Sequence, residues 1–390
     1  MDSVARKAQA LTEETVAVRR DLHMHPEIAF EESRTAGIVA SRLGELGLDL
    51  RSGVGGTGVV ALLEGARPGR TVLARADMDA LPLQEEGDPP YRSVVDGAMH
   101  ACGHDGHTAV LLSVARLLSE CRAEFAGRVV FVFQPAEEVV RGARAMLDDG
   151  ALEGLAVDAG IGLHLTSAFE TGRVALRPGP TMASADTFSL RVQGKGGHAA
   201  KPNETVDPVL VAAQIVTGLQ ALVAREQNPL DPAVISVTSV HGGTAFNIIP
   251  EAVELGGTLR TFDDATRSRL RERILAVAGG VAATFRASAT PEWREGSPVV
   301  VNDPEMTRRL RPVVEGVLGE GGLFERDPLM AGDDMSLWLQ EAPGCYFHVG
   351  AGDAERGLDY PHHHPRFDLD EAALPLAVEL LSRGIIEFLR

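Results

Sequence analysis

Short, predominantly apolar runs that alternate with a helical pattern constrain the fold of this chain more than any other feature. Three runs, residues 71–76, 129–133 and 159–163, have the length of strands that are buried on both faces. Residues 108–121, between the first two runs, have the periodicity of a helix. The alternation predicts an α/β fold with a layered, mostly parallel sheet.

Each of these runs ends at polar residues. Asp77 and Asp79 follow the first run, the stretch 134–138 follows the second, and His164 closes the third. Ligands bind beyond the carboxyl ends of the strands in open α/β sheets. We therefore expect the functional site at this edge of the sheet.

A second domain interrupts the pattern after the breaker at residues 177–180. Its predicted order is β-α-β-β-α-β, the split βαβ arrangement of ferredoxin-like folds. The predicted strands and helices of this part are residues 187–192, 206–225, 233–240, 252–261, 266–285 and 287–293. Helical and strand patterns of the first kind resume at 305–318, 345–349 and 371–389, after two N-terminal helices at 4–23 and 33–46. We predict one domain from 1–180 and 296–390, and an inserted α+β domain at 181–295.

Composition excludes several classes of protein. The 390 residues carry a formal net charge of −18, which disfavours binding to nucleic acid or to anionic membranes. Three cysteines far apart in sequence argue against a disulfide framework. The first 20 residues lack the apolar core of a signal peptide, and no uninterrupted apolar run reaches the length of a membrane span. These features predict a cytoplasmic protein.

The stretch 100–107 combines three histidines with a cysteine and is difficult to explain by packing alone. Cys102 and His104 are two residues apart, and a thiolate and an imidazole at that spacing can bind one divalent metal. A turn with polar caps before a helix is the structural alternative. A cysteine nucleophile with His104 or His107 as its base is the catalytic alternative.

Two further polar groups extend this chemistry. Glu137 and Glu138 follow a buried strand, so one can bind a metal while the other acts as a general base. The alternative for such a pair is a solvated surface. His164 can equally be a hydrogen-bonded core residue, and the run 362–364 of three histidines can equally be a surface loop.

Taken together, these motifs resemble those of the M20 family of metallohydrolases, in particular its branch of N-acyl-amino-acid amidohydrolases such as hippurate and indole-acetyl-amino-acid hydrolases. The resemblance extends over nearly the whole chain, and the motifs occur in the same order. They are DLHMHPE at 21–27, RADMDALP at 75–82, MHACGHDGH at 99–107, QPAEE at 134–138, GGHAAKP at 196–202, GGTAFN at 242–247, GTLR at 257–260 and HHPRFD at 363–368.

The resemblance implies two divalent metal ions per subunit, Zn²⁺ or Mn²⁺, with Co²⁺ or Ni²⁺ as further candidates. It implies that Cys102 bridges the two ions, that His104 and His164 bind one of them, and that Glu138 and His363 bind the other. Choosing His363 over its two neighbours depends on the spacing before the Arg-Phe-Asp motif. His100, His107, Asp77 and Asp79 are interpreted as supporting or structural residues.

The resemblance also assigns roles beyond the metals. Glu137 is the general base, and His198 of the insert stabilises the oxyanion in the partner subunit, which implies a homodimer formed through an inserted lid and dimerisation domain. Asn247 and Arg260 bind the α-carboxylate of the substrate. The family's Gly-Glu-Asp-Phe-like stretch reads Gly-Asp-Asp-Met here, so Asp333 and Asp334 are left outside the predicted site.

The implied activity is hydrolysis of an N-acyl amino acid to a carboxylic acid and a free amino acid. A related amidase acting on a carbamoyl or allantoate-type substrate, or on a small peptide, is the nearest alternative. A binding protein on the same fold that has lost catalysis is another.

Overall fold

The computed structural model describes residues 2–390, with side chains from Ser3 onward, and divides them into two compact units. The first unit contains residues 2–181, 301–327 and 334–390, and the second contains 182–300 and 328–333. Residues 296–300 and 328–333, which the sequence assigned to the first domain, belong to the second unit, and residue 181, which it assigned to the insert, belongs to the first.

Ten α-helices and sixteen strands form along the described part of the chain. The helices are α1 Asp2–Ala10, α2 Thr12–Met24, α3 Ser33–Glu45, α4 His104–Glu120, α5 Gly142–Asp148, α6 Pro208–Ala221, α7 Asp264–Thr284, α8 Pro304–Leu318, α9 Met335–Glu341 and α10 Ala373–Leu389. The strands are β1 Asp49–Val54, β2 Gly58–Glu64, β3 Arg67–Asp77, β4 Ala126–Gln134, β5 Ala159–Glu170, β6 Val174–Ala175, β7 Gly179–Met182, β8 Asp186–Gln193, β9 Gly197–His198, β10 Ala233–His241, β11 Ile248–Ile249, β12 Ala252–Thr261, β13 Ser288–Arg294, β14 Val300–Asn302, β15 Leu323–Phe324 and β16 Gly344–Gly352.

An eight-stranded sheet organises the first unit, in the order β1-β2-β4-β3-β5-β16-β6-β15. Its four central strands, β4, β3, β5 and β16, are mutually parallel. Strand β16 is buried along its whole length, as expected for a strand covered on both faces. Helix α10 packs on α4, α8 and the central strands. The predicted layered, mostly parallel α/β fold is confirmed.

Three sequence-based boundaries were wrong, and each has a local cause. The helix predicted at 108–121 already begins at His104, because Gly103 adopts φ 89° and its carbonyl accepts the first helical hydrogen bond, from the amide of His107. The strand predicted at 159–163 continues to Glu170, because β16 pairs with it beyond His164. The helix predicted at 4–23 is interrupted at Leu11, where the hydroxyl of Thr12 donates to the carbonyl of Gln9.

The second unit is built on an antiparallel sheet in the order β13-β8-β12-β10. Helices α6 and α7 pack against each other and bury an apolar face on this sheet. Segment Pro208–Glu226 would be long and apolar enough to cross a membrane by length and composition alone. Val211, Ile215 and Leu219 of this segment are buried in the core of the unit, as in a globular protein.

Candidate metal centre

Five predicted ligands converge in the first unit from four separate parts of the chain. Their ligand atoms form two sets, each with all its atoms within 4.8 Å of one another. Both sets contain the thiol of Cys102: it lies with His104 and His164 in one, and with Glu138 and His363 in the other. The shared sulfur gives the arrangement expected of a bridging ligand.

His104 opens helix α4 and leaves one ring nitrogen without a hydrogen bond. Its Nδ1 donates to the carbonyl oxygen of Asp79 at 2.9 Å. Its Nε2 is buried and has no hydrogen-bond partner in the described structure. Burial opposes the charged ring, but the charges and hydrogen bonds of Asp77, Cys102 and Asp79 together outweigh it and raise the pKa of His104 well above the usual value. Cationic charge is therefore favoured at this point of the site.

His164 presents its ring in the same way. Its Nδ1 donates to the carbonyl oxygen of Leu165 at 2.6 Å, which leaves Nε2 at 3.6 Å from Sγ of Cys102. Burial, reinforced by the neighbouring rings of His107 and His362, lowers the pKa of His164 well below the usual value. The ring is therefore neutral, the form in which an imidazole binds a metal.

Burial raises the pKa of the Cys102 thiol well above its usual value, and the carboxylate of Glu138 raises it further. A thiolate at this position thus needs a compensating positive charge. A divalent cation deprotonates a coordinating thiol.

Glu138 and His363 complete the second set. Nε2 of His363 lies 3.3 Å from Oε2 of Glu138, and this contact raises the pKa of His363. The other carboxylate oxygen of Glu138 is buried without a hydrogen-bond partner in the described structure, 3.9 Å from Nε2 of His104. A buried carboxylate oxygen and a buried imidazole nitrogen, both without partners, are costly unless a further group lies between them.

The three consecutive histidines of the C-terminal loop occupy different environments. His363 has φ 64°, and its amide donates to the carbonyl of Ala101. His362 stacks on His164 with ring centroids 4.9 Å apart and places Nδ1 at 3.7 Å from Sγ of Cys102. His364 accepts a hydrogen bond from the amide of Arg366. His363 is the member of the run beside Glu138.

His107 has no nitrogen left for a metal. Its Nδ1 donates to Asp77 at 2.6 Å, and its Nε2 accepts from the amide of Leu165 at 2.9 Å. Asp77 is in turn paired with Arg75 at 2.6 Å. The structure thus separates His107 from the ligand candidates.

His100 is buried, and neither of its ring nitrogens has a hydrogen-bond partner in the described structure.

Glu137 is the predicted base and lies close to the first set. Its Oε2 is 4.0 Å from Nε2 of His104, and 7% of the residue is exposed. Asp79 holds the backbone at this point, because its two carboxylate oxygens accept hydrogen bonds from the backbone amides of Glu137 and Glu138, each at 3.0 Å. A carboxylate beside two ligand sets can take up and return a proton.

A buried ionic network beside the site was missed by the sequence analysis. Asp334 accepts from Arg75 at 2.9 Å, from the side chain of Gln134 at 2.6 Å and from the amide of Ala143 at 3.0 Å. The indole of Trp338 donates to the side-chain oxygen of Gln134 at 2.8 Å. The departure from the family pattern at residues 333–334 was the one sequence signal for this network, but it did not indicate which residues pair with either carboxylate.

The remaining predicted residues lie in the second unit. His198 and Asn247 are exposed neighbours, since β9 pairs with β11 and the amide of Ala199 donates to the carbonyl of Asn247. Nδ1 of His198 accepts from the amide of Ala200 at 3.1 Å, which leaves Nε2 as the protonated nitrogen of the neutral ring. Arg260 lies on β12, where burial lowers its pKa although the charge of Asp186 opposes the shift.

The donor set fits divalent transition metals. One sulfur, neutral imidazole nitrogens and a carboxylate are ligands of Zn²⁺ and of its borderline neighbours. Each imidazole of the first set has its distal nitrogen bonded to a backbone carbonyl, the usual outer contact of a metal-bound histidine. The partnerless atoms of His104 and Glu138 are the structural feature that a bound cation would satisfy.

Comparison with known proteins places the chain in a family. The family described as peptidase family M20/M25/M40 matches residues 73–387. The chain is 40% identical over 368 residues to an N-acetylcysteine deacetylase of Bacillus subtilis (strain 168), covering 94% of each protein. It is 39% identical over 379 residues to IAA-amino acid hydrolase ILR1-like 2 of Arabidopsis thaliana, covering 96% of this chain and 85% of the relative. The crystal structure of the Bacillus subtilis YXEP protein, described as a dinuclear metal binding peptidase from the M20 family, matches with a TM-score of 0.84 at 35% identity, covering 98% of this chain and 99% of the other. The chain belongs to peptidase family M20/M25/M40.

Proposed function

We propose that this protein is a two-metal amidohydrolase that cleaves N-acyl amino acids into a carboxylic acid and a free amino acid. The observation that carries the proposal is the pair of ligand sets that share Cys102, with the carboxylate of Glu137 beside them. Cys102 would bridge the ions, His104 and His164 would hold one, and Glu138 and His363 would hold the other. When bound, the ions would polarise the amide carbonyl and lower the pKa of a water molecule.

Glu137 would carry the proton through the reaction. Its carboxylate would accept a proton from the attacking water and donate it to the nitrogen of the leaving amino acid, a role worth roughly 10²–10⁴ in rate. Asp79 supports this role because it fixes the amides of both Glu137 and Glu138. The base and a metal ligand are thereby held on one short piece of backbone.

His198 would stabilise the oxyanion with its protonated Nε2. The family resemblance assigns this contact to the active site of the partner subunit, so we propose a homodimer. Exposed apolar side chains on the second unit support an interface there, among them Val209, Leu210 and Ile248. Strand β10 is an edge of the unit's sheet, which leaves one side of its backbone available for pairing.

Substrates with a free α-carboxylate would be selected by Asn247 and Arg260. A guanidinium can bind a carboxylate with two parallel hydrogen bonds. The names of the two relatives, a deacetylase of N-acetylcysteine and a hydrolase of an amino-acid conjugate, both describe an acyl group joined to an amino acid. This agreement supports the proposed substrate class.

A second candidate activity is hydrolysis of another amide, either a small peptide or a carbamoyl or allantoate-type compound. The family's description as peptidases favours the peptide among these. For the metals we propose Zn²⁺ or Mn²⁺, with Co²⁺ or Ni²⁺ as further candidates. The three free cysteines support a cytoplasmic location.

A substrate panel run with and without metals tests the proposal. Metal-free protein is prepared with a chelator and assayed on N-acetyl, benzoyl and indole-acetyl amino acids, N-carbamoyl amino acids and dipeptides. We expect no turnover without metal and recovery with Zn²⁺, Mn²⁺ or Co²⁺, with acyl amino acids preferred. Full turnover after exhaustive metal removal would contradict the proposal. If a thiol alkylator also abolished that metal-free activity, Cys102 would be a nucleophile instead.

A further inference from the structure

The loop that carries Glu137 and Glu138 has an unfavourable backbone conformation. Ala136 has φ 53° and Val140 has φ 54°, both in the left-handed region. Residues with a Cβ rarely adopt this region, and a β-branched residue such as valine is disfavoured still more. Such strain persists only where the surrounding structure imposes it. The loop must therefore be held by contacts outside itself.

Two buried carboxylates supply these contacts. Three successive amides of the loop point at them: the amide of Ala136 donates to Oε1 of Glu32 at 2.9 Å, and the next two amides donate to Asp79. Successive amides beside a left-handed residue form a concavity that binds anions. Here the anions are the carboxylates of Glu32 and Asp79, which belong to two other segments of the chain and hold the backbone of the loop.

Glu32 is an unusual residue for this position. It is fully buried, and no Lys, Arg or His forms an ion pair with it in the described structure. Its carboxylate accepts from the amide of Phe30 at 3.0 Å, the amide of Ala136 and the hydroxyl of Thr57. Burial raises the pKa of Glu32, although the hydrogen bonds from Thr57 and Ala136 oppose the shift. A buried carboxylate without a cation is costly, so stability alone is a poor reason for its presence.

The contacts of Glu32 join three distant parts of the first unit. Phe30 belongs to the segment before α3, Thr57 to the turn between β1 and β2, and Ala136 to the loop after β4. Phe30 is itself left-handed, with φ 64°, so two strained residues donate to the same carboxylate oxygen. The position of Ala136 is thus fixed through Glu32, Phe30 and Thr57, none of which is a proposed metal ligand.

From this geometry we propose that Glu32 is a positioning residue for the reaction: it holds Ala136 in its left-handed conformation and thereby sets the positions of Glu137 and Glu138. A misplacement of about 1 Å at a reacting group can cost about 10²-fold in rate. The inference rests on the proposed function, in which Glu137 is the base and Glu138 a ligand. It assigns catalytic consequences to a residue outside the metal site.

Three substitutions of Glu32 separate its hydrogen-bonding role from a general effect on folding. Glu32→Ala removes the acceptor. Glu32→Asp keeps the charge but withdraws the oxygen by one methylene, and it serves as the test if the alanine variant does not fold. Glu32→Gln keeps an acceptor oxygen for the two amides and can donate its NH₂ to Thr57. Glu27→Ala is the matched control, because Glu27 caps the amides of Arg34 and Thr35 in α3 without contacting the loop.

We expect kcat to fall about 10–100-fold in Glu32→Ala and Glu32→Asp, with KM within about threefold of wild type. The dissociation constant of the more weakly bound metal should rise about 10-fold, since Glu138 moves with the loop. Glu32→Gln should stay within about threefold of wild type in both constants, as should Glu27→Ala. Titration of metal-free protein with Co²⁺ measures binding independently of turnover.

Hydrogen exchange of the metal-free protein gives a readout that needs no activity. The amides of Ala136, Glu137 and Glu138 should exchange faster in Glu32→Ala or Glu32→Asp than in wild type, and not in Glu32→Gln or Glu27→Ala. The inference would be overturned if folded Glu32→Ala or Glu32→Asp kept the kcat, metal affinity and loop exchange of wild type. It would also be overturned if Glu32→Gln lost as much kcat and metal affinity as those two variants. Absence of metal-dependent turnover in the wild type would instead refute the proposed function. The exchange experiment would still test whether Glu32 holds the loop of Ala136.

Discussion

At the scale of single residues, the second contact of each histidine ring decides what that ring can do. His104 and His164 both donate from Nδ1 to a backbone carbonyl and keep Nε2 available. His107, three residues after His104, uses both nitrogens in hydrogen bonds. The spacing of the motif does not distinguish these cases, because the partners come from β3, from Asp79 just after it, and from β5.

Glu137→Gln tests the proposed division of labour between the two adjacent glutamates. The amide cannot accept the proton from water, so we expect kcat to fall by about 10²–10⁴ while both metals remain bound. Glu138→Gln is the matched variant and should lose metal, because an amide is a weaker ligand than a carboxylate. Steady-state kinetics combined with metal analysis of both variants checks this prediction. Loss of metal from Glu137→Gln would show that Glu137 is a ligand rather than the base.

His348 is expected to make folding sensitive to acid. Burial, together with the charge of Arg326, lowers the pKa of His348 to about 3. The unfolded chain, with a histidine pKa of about 6.5, binds more protons between these values, so stability falls as the pH drops through this window. One such ring contributes at most about 1.4 kcal/mol per pH unit. In urea unfolding of metal-free protein at pH 6.5 and 4.5, His348→Gln should lose less stability on acidification than wild type. If the variant and wild type lost the same unfolding free energy between pH 6.5 and 4.5, the lowered pKa of His348 would be contradicted.

At the scale of elements, the ends of the central strands are tied together by buried charge. Asp334, at the start of α9, pairs with Arg75 of β3 and accepts from Gln134 of β4. Arg75 also pairs with Asp77 at the end of its own strand. Both strands lead directly into residues of the site, so the network fixes the edge of the sheet from which the site is built.

Asp334→Ala should destabilise the protein strongly. The substitution leaves Arg75 without one of its carboxylates and removes the acceptor for Gln134 and Ala143. Breaking a buried ion pair from one side costs about 3–5 kcal/mol of unfolding free energy. Glu120→Gln, which breaks the solvent-exposed pair with Lys7, is the control and should leave stability close to wild type. Equal stability of the two variants in urea unfolding would show that the network does not hold the sheet edge.

At the scale of the whole molecule, the chain forms two units, each with its own core. The proposed ligands and base all lie in the first unit, whereas His198, Asn247 and Arg260 lie in the second. The proposed chemistry would therefore use residues of both units. In the proposed homodimer, His198 would act in the site of the partner subunit.

Mixing two inactive variants tests that arrangement. Glu137→Gln and His198→Ala subunits are each expected to form inactive homodimers. In a mixed dimer the His198→Ala subunit keeps its own Glu137 and receives His198 from its partner, so one site is complete. Random exchange of subunits should restore about a quarter of wild-type activity, since half the dimers are mixed and each has one working site. No recovery after verified subunit exchange would place His198 in the site of its own subunit, and an active His198→Ala homodimer would place it outside catalysis.

The sequence alone determined the class of fold, the order of elements in the insert and the family. Strand and helix periodicity reflects local burial, and the motifs at 99–107, 134–138 and 363–368 carry the donor types that metal chemistry requires. The sequence also predicted Cys102, His104, Glu138, His164 and His363 as ligands, and the structure brings these side chains together. Their roles, and that of Glu137, stay predictions.

Only the tertiary structure decided which nitrogen of each ring is available, which histidine of 362–364 lies beside Glu138, and what holds the loop of Ala136. Glu32, Asp79 and Asp334 act through contacts to residues far away in the chain. A carboxylate that accepts a backbone amide leaves no periodicity or spacing in the sequence, because the donor's side chain takes no part in the bond. Such contacts become visible only when the strands and loops are in place.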